Sequence, residues 1–303
     1  MSQLDTADRQ EPSEALAAKT AHLKEKLAKL ASELQRLKAI EKAMLASPDQ
    51  QNSLTDPDSR SMATSGKDTG IVGYNVQAAV DTKNHLIVAH EVTNVGTDRH
   101  QLSNMAEQAR TEMGVETLDA VADRGYYASE EIRACEEAGI AVTLPKPMTS
   151  NAKAAGRFGK QDFRYVAAED VYICPDGQKL TYFFTTADKG LVLRRYRTNA
   201  CQGCAIKHSC TTGKERLISR WEHEAVLETV QARLDHHPEK MTVRRSTAEH
   251  PFGTIKGWMG ATHFLTKRLP KVATEMALNV LAYNIKRVMA IIGVAGLLEA
   301  LAT

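Results

Sequence analysis

The chain lacks a membrane-length apolar run. Its most hydrophobic stretch, Val288 to Leu298, is shorter than the roughly 20 residues a bilayer requires and is broken by Gly293 and Gly296. A secretory leader is not expected, because the N-terminus is polar and acidic. Cysteine is scarce, with five residues that are mostly clustered and unlike a secreted disulfide framework. These absences lead to the expectation of a cytoplasmic protein with no membrane partner. Charge of one sign is also missing. The formal net charge is only +2, so any nucleic-acid partner must be held by local patches. What is present is 43% hydrophobic content in 303 residues, enough to bury a core and to form more than one domain.

One stretch concentrates the chemistry. Between Lys240 and Lys271 the basic residues are Lys240, Arg244, Arg245, Lys256, Lys267, Arg268 and Lys271, and Glu249 is the sole carboxylate. A single acid in a basic surface suits metal-dependent phosphodiester chemistry, with the carboxylate on a divalent cation and the flanking cations on phosphates. The plain alternative is a solvated basic helix with one glutamate. On a helix Arg245 and Glu249 stand at i and i+4, with Lys256 two turns further on roughly the same face. Pro251 disfavours a helical residue before it, so a helix is expected to start there with Glu249 at its entrance.

From the N-terminus, residues 1–12 are expected to be a disordered lead. Residues 13–47 follow as a helical segment with Ser13 as N-cap. Leu16, Leu23, Leu27, Leu30, Leu34, Leu37 and Met44 keep a heptad register that Thr20 and Glu41 break. A helical hairpin, a dimerising coiled coil and one long amphipathic helix packed on its own chain all satisfy that pattern. Residues 48–69 form a polar linker with a turn at Thr55 to Arg60.

Tyr74 to Val80 and Leu86 to Val92, joined at Asp81 to Asn84, predict a hairpin. His100 to Arg110 predicts a helix with Leu102, Met105, Ala106 and Ala109 on one face. A strand at 118–122, a helix at 129–138 stopped by Gly139 and a strand at 141–144 complete an α/β layout with a mixed sheet. Asp123 stands at the carboxyl end of a central strand, where open α/β sheets place chemistry. An Asp before Gly is equally a common turn residue.

Residues 145–234 read as an inserted β-rich, cysteine-containing subdomain, with strands near 172–174, 179–185 and 191–196. Its cations Arg194, Arg195, Arg197, Lys207, Lys214, Arg216 and Arg220 face only Glu215 as acid between Arg194 and Arg220, and suit a DNA-contacting surface. Cys201 and Cys204 form a CxxC knuckle that Cys174 and Cys210 complete as a candidate Zn²⁺ site, with His208 able to replace one thiolate. Reduced cysteines that bind nothing are the plain alternative. Cys135 reads as a small buried apolar residue. A closing helix is expected over 270–289, burying Leu278, Leu281, Ile285, Val288 and Ile292.

Arg245, Glu249 and Lys256 resemble the Tyr-Arg-Glu-Lys signature of bacterial insertion-sequence transposases of the Asp-Asp-Glu (DDE) type, with Thr242 where the Tyr would stand. Gly73 to Gln77, Asp81, Val92 to Asn94, Asp98 and Ala122 to Tyr126 resemble the ribonuclease-H-like core of the same family. The resemblance implies such a core over 70–144 and 235–303. It implies Asp123 and Glu249 as catalytic Mg²⁺ or Mn²⁺ ligands, and Arg245 and Lys256 as phosphate contacts. Its partners would be the element's terminal inverted repeats and further copies of the chain, at the nucleoid. The family's first catalytic Asp lies on a first core strand that the sequence does not display ahead of residue 55. The chain is therefore expected to be a C-terminal portion, weakly active or inactive, with Asp56, Asp58 and Asp81 as candidate substitutes. A non-catalytic DNA-binding or dimerising regulator is the alternative, and a metal-dependent nuclease on the same core is a third reading.

Overall fold

The computed structural model describes residues 14–62, 70–147 and 150–302. The expectations for residues 1–12, for Ser13 and for the later part of the linker lie outside them. The described residues divide into two compact units. One is drawn from the described residues up to Val76, with Val92–Gly96 and His263–Met276, and the other from Gln77–Glu91 and the described residues of 97–262 and 277–302.

In the first unit, helix α1 spans Glu14–Ala46. Its sequence is rich in Ala, Leu, Lys and Glu and contains no Gly or Pro, so propensity favours an unbroken helix. Ion pairs from Lys29 to Glu25 (3.0 Å) and from Arg36 to Glu33 (3.2 Å) lie along it. Leu30, Leu34 and Leu37 are exposed at 66%, 54% and 54%, so the leucine face does not pack on its own chain as one reading expected. The linker is not wholly irregular either. Arg60–Met62 forms strand β1, antiparallel to β2 at Ile71–Gly73.

Strand β3 (Asn75–Val80) pairs with β4 (Ile87–Thr93) as the expected hairpin. Asp81 closes its turn, accepting from the backbone N–H of Lys83 (3.1 Å) and Asn84 (2.6 Å). In the second unit, α2 (Leu102–Glu112) buries Leu102, Met105, Ala106 and Ala109, as periodicity required. Strand β5 (Leu118–Val121) and β6 (Ile140–Thr143) pair in parallel through helix α3 (Ser129–Glu137). Gly139 takes φ 76° after that helix, a conformation that disfavours any residue with a Cβ.

After a short helix α4 (Asn151–Ala154), five antiparallel strands follow in the order β11-β10-β9-β8-β7. They are β7 (Arg164–Val166), β8 (Val171–Ile173), β9 (Lys179–Asp188), β10 (Leu191–Arg197) and β11 (Ile218–Trp221). Helix α5 (Glu224–His236) comes next. Trp221, Leu227 and Val230 share one apolar cluster with Ile132, Cys135, Ile140, Val142 and Leu144. Cys135 is buried there as expected, and burial pushes its thiol up to about 12.

Two expectations fail at the C-terminal helices. Helix α6 runs Lys240–Gly253 with Pro251 inside it, so the helix does not begin at Pro251. Pro251 lies in the last turn and is buried, and the helix widens directly afterwards into a π-turn at Thr254–Trp258, closed by Met259 N–H to the Thr254 carbonyl at 3.0 Å. A wider turn accommodates a ring that offers no N–H. The closing helix α7 spans Leu269–Ala302, interrupted at Gly293. Its buried residues are Val272, Met276, Val280 and Tyr283, whereas Leu278, Leu281, Ile285 and Ile292 are exposed. Polar anchors choose this face. The Tyr283 hydroxyl donates to the His85 carbonyl at 2.6 Å, and Asn284 bonds both the N–H (3.0 Å) and the carbonyl (2.8 Å) of Ile87.

Between the two strand pairs of the second unit lies a cavity of about 470 Å³. Ala78 to Thr82 along β3 and its turn, and Leu118 to Ala122 along β5, form its two sides. Among the described residues β3 pairs with β4 alone and β5 with β6 alone, so each presents an unpaired edge.

Candidate active site around Asp123

Asp123 follows β5 in extended backbone (φ −87°, ψ 177°) and caps a 3₁₀ turn at Arg124–Tyr126. Its Oδ1 accepts the Gly125 N–H at 2.7 Å, the turn role that its sequence context allows. Its Oδ2 accepts from Arg244 Nη2 at 2.7 Å. One helical turn earlier, Lys240 Nζ meets Asp119 Oδ2 at 2.5 Å. Two cations at i and i+4 thus lay α6 along β5 and its end.

A second carboxylate approaches the same turn. An ideal Cβ on Gly125 would lie 2.9 Å from Asp123 Oδ1 and 3.3 Å from Asp98 Oδ2. Only glycine leaves that space open between the two acids. Asp98 Oδ1 accepts from Gln77 Nε2 at 2.7 Å, and Gln77 Oε1 accepts the Tyr126 hydroxyl. Gln77 is 1% exposed, so both ends of its amide are satisfied inside the protein. Burial, reinforced by Asp98 and Asp123, holds the Tyr126 phenol far above its ordinary range and keeps it a neutral donor.

The residues singled out in the sequence are placed differently from one another. Arg245 and Glu249 lie on the exposed face of α6, Lys256 is exposed in the π-turn, and Thr247 and Pro251 face inward. Arg244 and Glu249 are about 140° apart around the helix and about 7.5 Å apart along it. Arg244, which the sequence offers only as one of the cations of this stretch, is the residue of α6 that bonds Asp123. Asp98 and Gln77 also carry the site. The sequence offers both only as part of the core resemblance and gives neither a role, because the Gln77 contacts with Asp98 and Tyr126 join positions distant in sequence.

The three substitute acids are engaged elsewhere. Asp56 is buried and accepts the Tyr74 hydroxyl (2.7 Å) and the Arg268 N–H (3.1 Å). Asp58 Oδ2 accepts the Leu269 N–H at the start of α7 at 3.0 Å. Asp81 closes the hairpin.

Among the described residues no three His, Cys, Asp or Glu side chains form a finished metal-holding group. The paired carboxylates at Gly125 nevertheless fit a hard divalent cation. Mg²⁺ favours oxygen ligands and is commonly held by one or two protein carboxylates, with substrate phosphates and water supplying the rest.

Cys174, Cys201, Cys204 and Cys210 line one small cavity of about 20 Å³, and His208 is not part of its wall. Cys174 Sγ accepts the Gln178 N–H at 3.3 Å. Burial raises the thiols of Cys204 and Cys210 above the ordinary thiol range.

No curated protein and no solved structure matches the chain. A family model described as the transposase DDE domain matches residues 173–289. The match includes Arg245, Glu249, Lys256 and the four cysteines of the small cavity, and begins after Asp123. The stretch that carries the Arg-Glu-Lys pattern is thus similar, over residues 173–289, to a transposase DDE domain.

Proposed function

We propose that the chain takes part in DNA transposition as part of a DDE-type catalytic core. Asp123 and Glu249 serve as ligands for Mg²⁺ or Mn²⁺, and Arg245 and Lys256 as contacts to the phosphates of the element's terminal inverted repeats. The observation that carries this reading is the DDE-domain match across Arg245, Glu249 and Lys256. The acid-lined turn at Asp123, tied to the same helix by Arg244, supports it.

When bound, the cation supplies charge stabilisation to the scissile phosphate and its attacking and leaving oxygens. The chain's own residues prepare the place. Arg244 holds the Asp123 carboxylate, and Gln77 and Tyr126 fix Asp98 beside it. Arg245 and Lys256, both exposed, are free to meet a backbone that approaches from solvent.

The cavity between β3 and β5 supports the finer part of the reading. Two unpaired strand edges facing one cavity suit one further strand, completing a mixed sheet. A strand there would end beside Asp123, so an acid on it completes the triad. On this reading the chain by itself cleaves weakly or not at all. A regulator that binds DNA and dimerises is favoured by one separate observation, the exposed leucine face of α1.

The deciding experiment uses labelled duplexes from the DNA flanking the chain's own reading frame. Mg²⁺-dependent nicking should be near background for the chain alone and should rise at least tenfold when a segment bearing an Asp-containing strand is fused ahead of it. Asp123→Asn and Glu249→Gln should each abolish the gained activity and leave DNA binding in place. Undiminished nicking by Asp123→Asn would overturn the assignment, and binding with no cleavage under any of these conditions would favour the regulator.

A further inference from the structure

Three short turns bring the cysteines together. The first follows β8, where Cys174 N–H bonds the Gln178 carbonyl (3.0 Å) and Gly177 N–H bonds the Cys174 carbonyl (2.9 Å). Gly177 has φ 76°, which lets the loop fold back over the sulfur. The second holds Cys201 at a 3₁₀ turn spanning Asn199–Gln202, with Cys204 just beyond it. The third ends at Cys210, whose N–H bonds the Lys207 carbonyl at 2.9 Å. Phe158, Phe163 and Leu180 wall the space between them.

Three features of that space point to negative charge on sulfur. The Gln178 backbone N–H donates to Cys174 Sγ, and such a bond strengthens when the acceptor is ionised. Lys207 and Arg216 both line the cavity. The Arg216 Nε–H is buried without a hydrogen-bond partner, although its other nitrogens bond the carbonyls of Cys210 (3.4 Å) and Phe158 (3.2 Å). An unpartnered guanidinium N–H is costly inside a protein and is satisfied by an anion.

We propose that Cys174, Cys201, Cys204 and Cys210 bind one Zn²⁺ as a structural tetrathiolate site. The side chains are not a finished metal group in this structure. Binding therefore turns the thiols inward until each sulfur lies about 2.3 Å from the ion. Each thiol gives its proton to solvent, no electron is transferred, and the resulting complex carries two negative charges that Arg216 and Lys207 offset. The site fastens the turns that carry Cys201, Cys204 and Cys210 to the loop after β8. The proposal does not depend on the reaction the chain performs.

The test uses the full chain, purified without chelator. Elemental analysis should find about one zinc per chain, falling at least tenfold in Cys201→Ser and Cys204→Ser and unchanged in Cys135→Ala, whose sulfur lies in the other core. Stripped protein titrated with Co²⁺ should develop a thiolate-to-metal charge-transfer band that saturates at one equivalent and is displaced by Zn²⁺. This second measurement needs no variant and so survives a misfolded one. Zinc-free protein that gives no such band, or zinc retained by Cys201→Ser, would overturn the proposal.

Discussion

At Gly125 a single hydrogen in place of a side chain lets two carboxylates approach one turn. Alanine there would place a carbon 2.9 Å from Asp123 Oδ1 and 3.3 Å from Asp98 Oδ2. Neither acid retreats freely, since Arg244 and the Gly125 N–H hold one and Gln77 holds the other. Gly125→Ala is expected to cost about 1–3 kcal/mol through overpacking. It should also weaken any Mg²⁺-dependent rise in the urea midpoint, because the acids are pushed from the shared space. Unfolding with and without Mg²⁺ checks both, and a variant as stable and as Mg²⁺-responsive as the parent would count against the paired-acid site. The Arg244–Asp123 bond, by contrast, is partly exposed. Arg244→Ala should change stability by no more than about 1 kcal/mol.

Among the elements, α1 makes a separate prediction. Leu30, Leu34 and Leu37 keep a heptad register and remain exposed, so a second copy of the helix is the natural cover. Leu30→Glu with Leu34→Glu should shift the chain from dimer to monomer in sedimentation at micromolar concentration, and a parent that is already monomeric would refute the coiled coil. How far elements were legible follows from how local their signals are. The β3–β4 hairpin and α2 showed in alternation and periodicity, which a single segment carries by itself. The buried face of α7 did not, because Tyr283 and Asn284 choose it through bonds to His85 and Ile87, nearly 200 positions away. The place of Asp123 after a strand was legible, but its bond to Arg244 was not, since the choice between adjacent arginines depends on how α6 is rotated against β5. Strands β7 and β11 were not read from the sequence.

For the whole molecule, pH and salt probe different charges. Glu224 is buried, which opposes its ionisation, yet Lys160 at 2.7 Å, aided by the Trp221 N–H, holds its carboxyl below the usual range. Its contribution is present above the unfolded-state value and is lost as pH falls through the folded one. Burial pushes the phenols of Tyr127 and Tyr172 up to about 12, so their contribution is intact below the ordinary value near 10 and declines as pH rises towards 12. Stability should therefore fall at both extremes. At the alkaline end the rise in phenolate absorbance should coincide with loss of circular dichroism, and two well-separated transitions would contradict that coupling. Salt addresses the surface instead. With a net charge of only +2 there is little long-range pull on DNA, so the proposed binding would rest on clustered cations such as Arg245 and Lys256. Each neutralised phosphate releases condensed counterions, and log K should fall steeply with log salt. Arg245→Ala and Lys256→Ala should each flatten that slope by about 0.9. Glu249→Ala should leave affinity unchanged or raise it, because it removes a negative charge facing phosphate. Fluorescence anisotropy across a salt series measures all three. Unchanged slopes in both cation variants would move the DNA contact away from this helix.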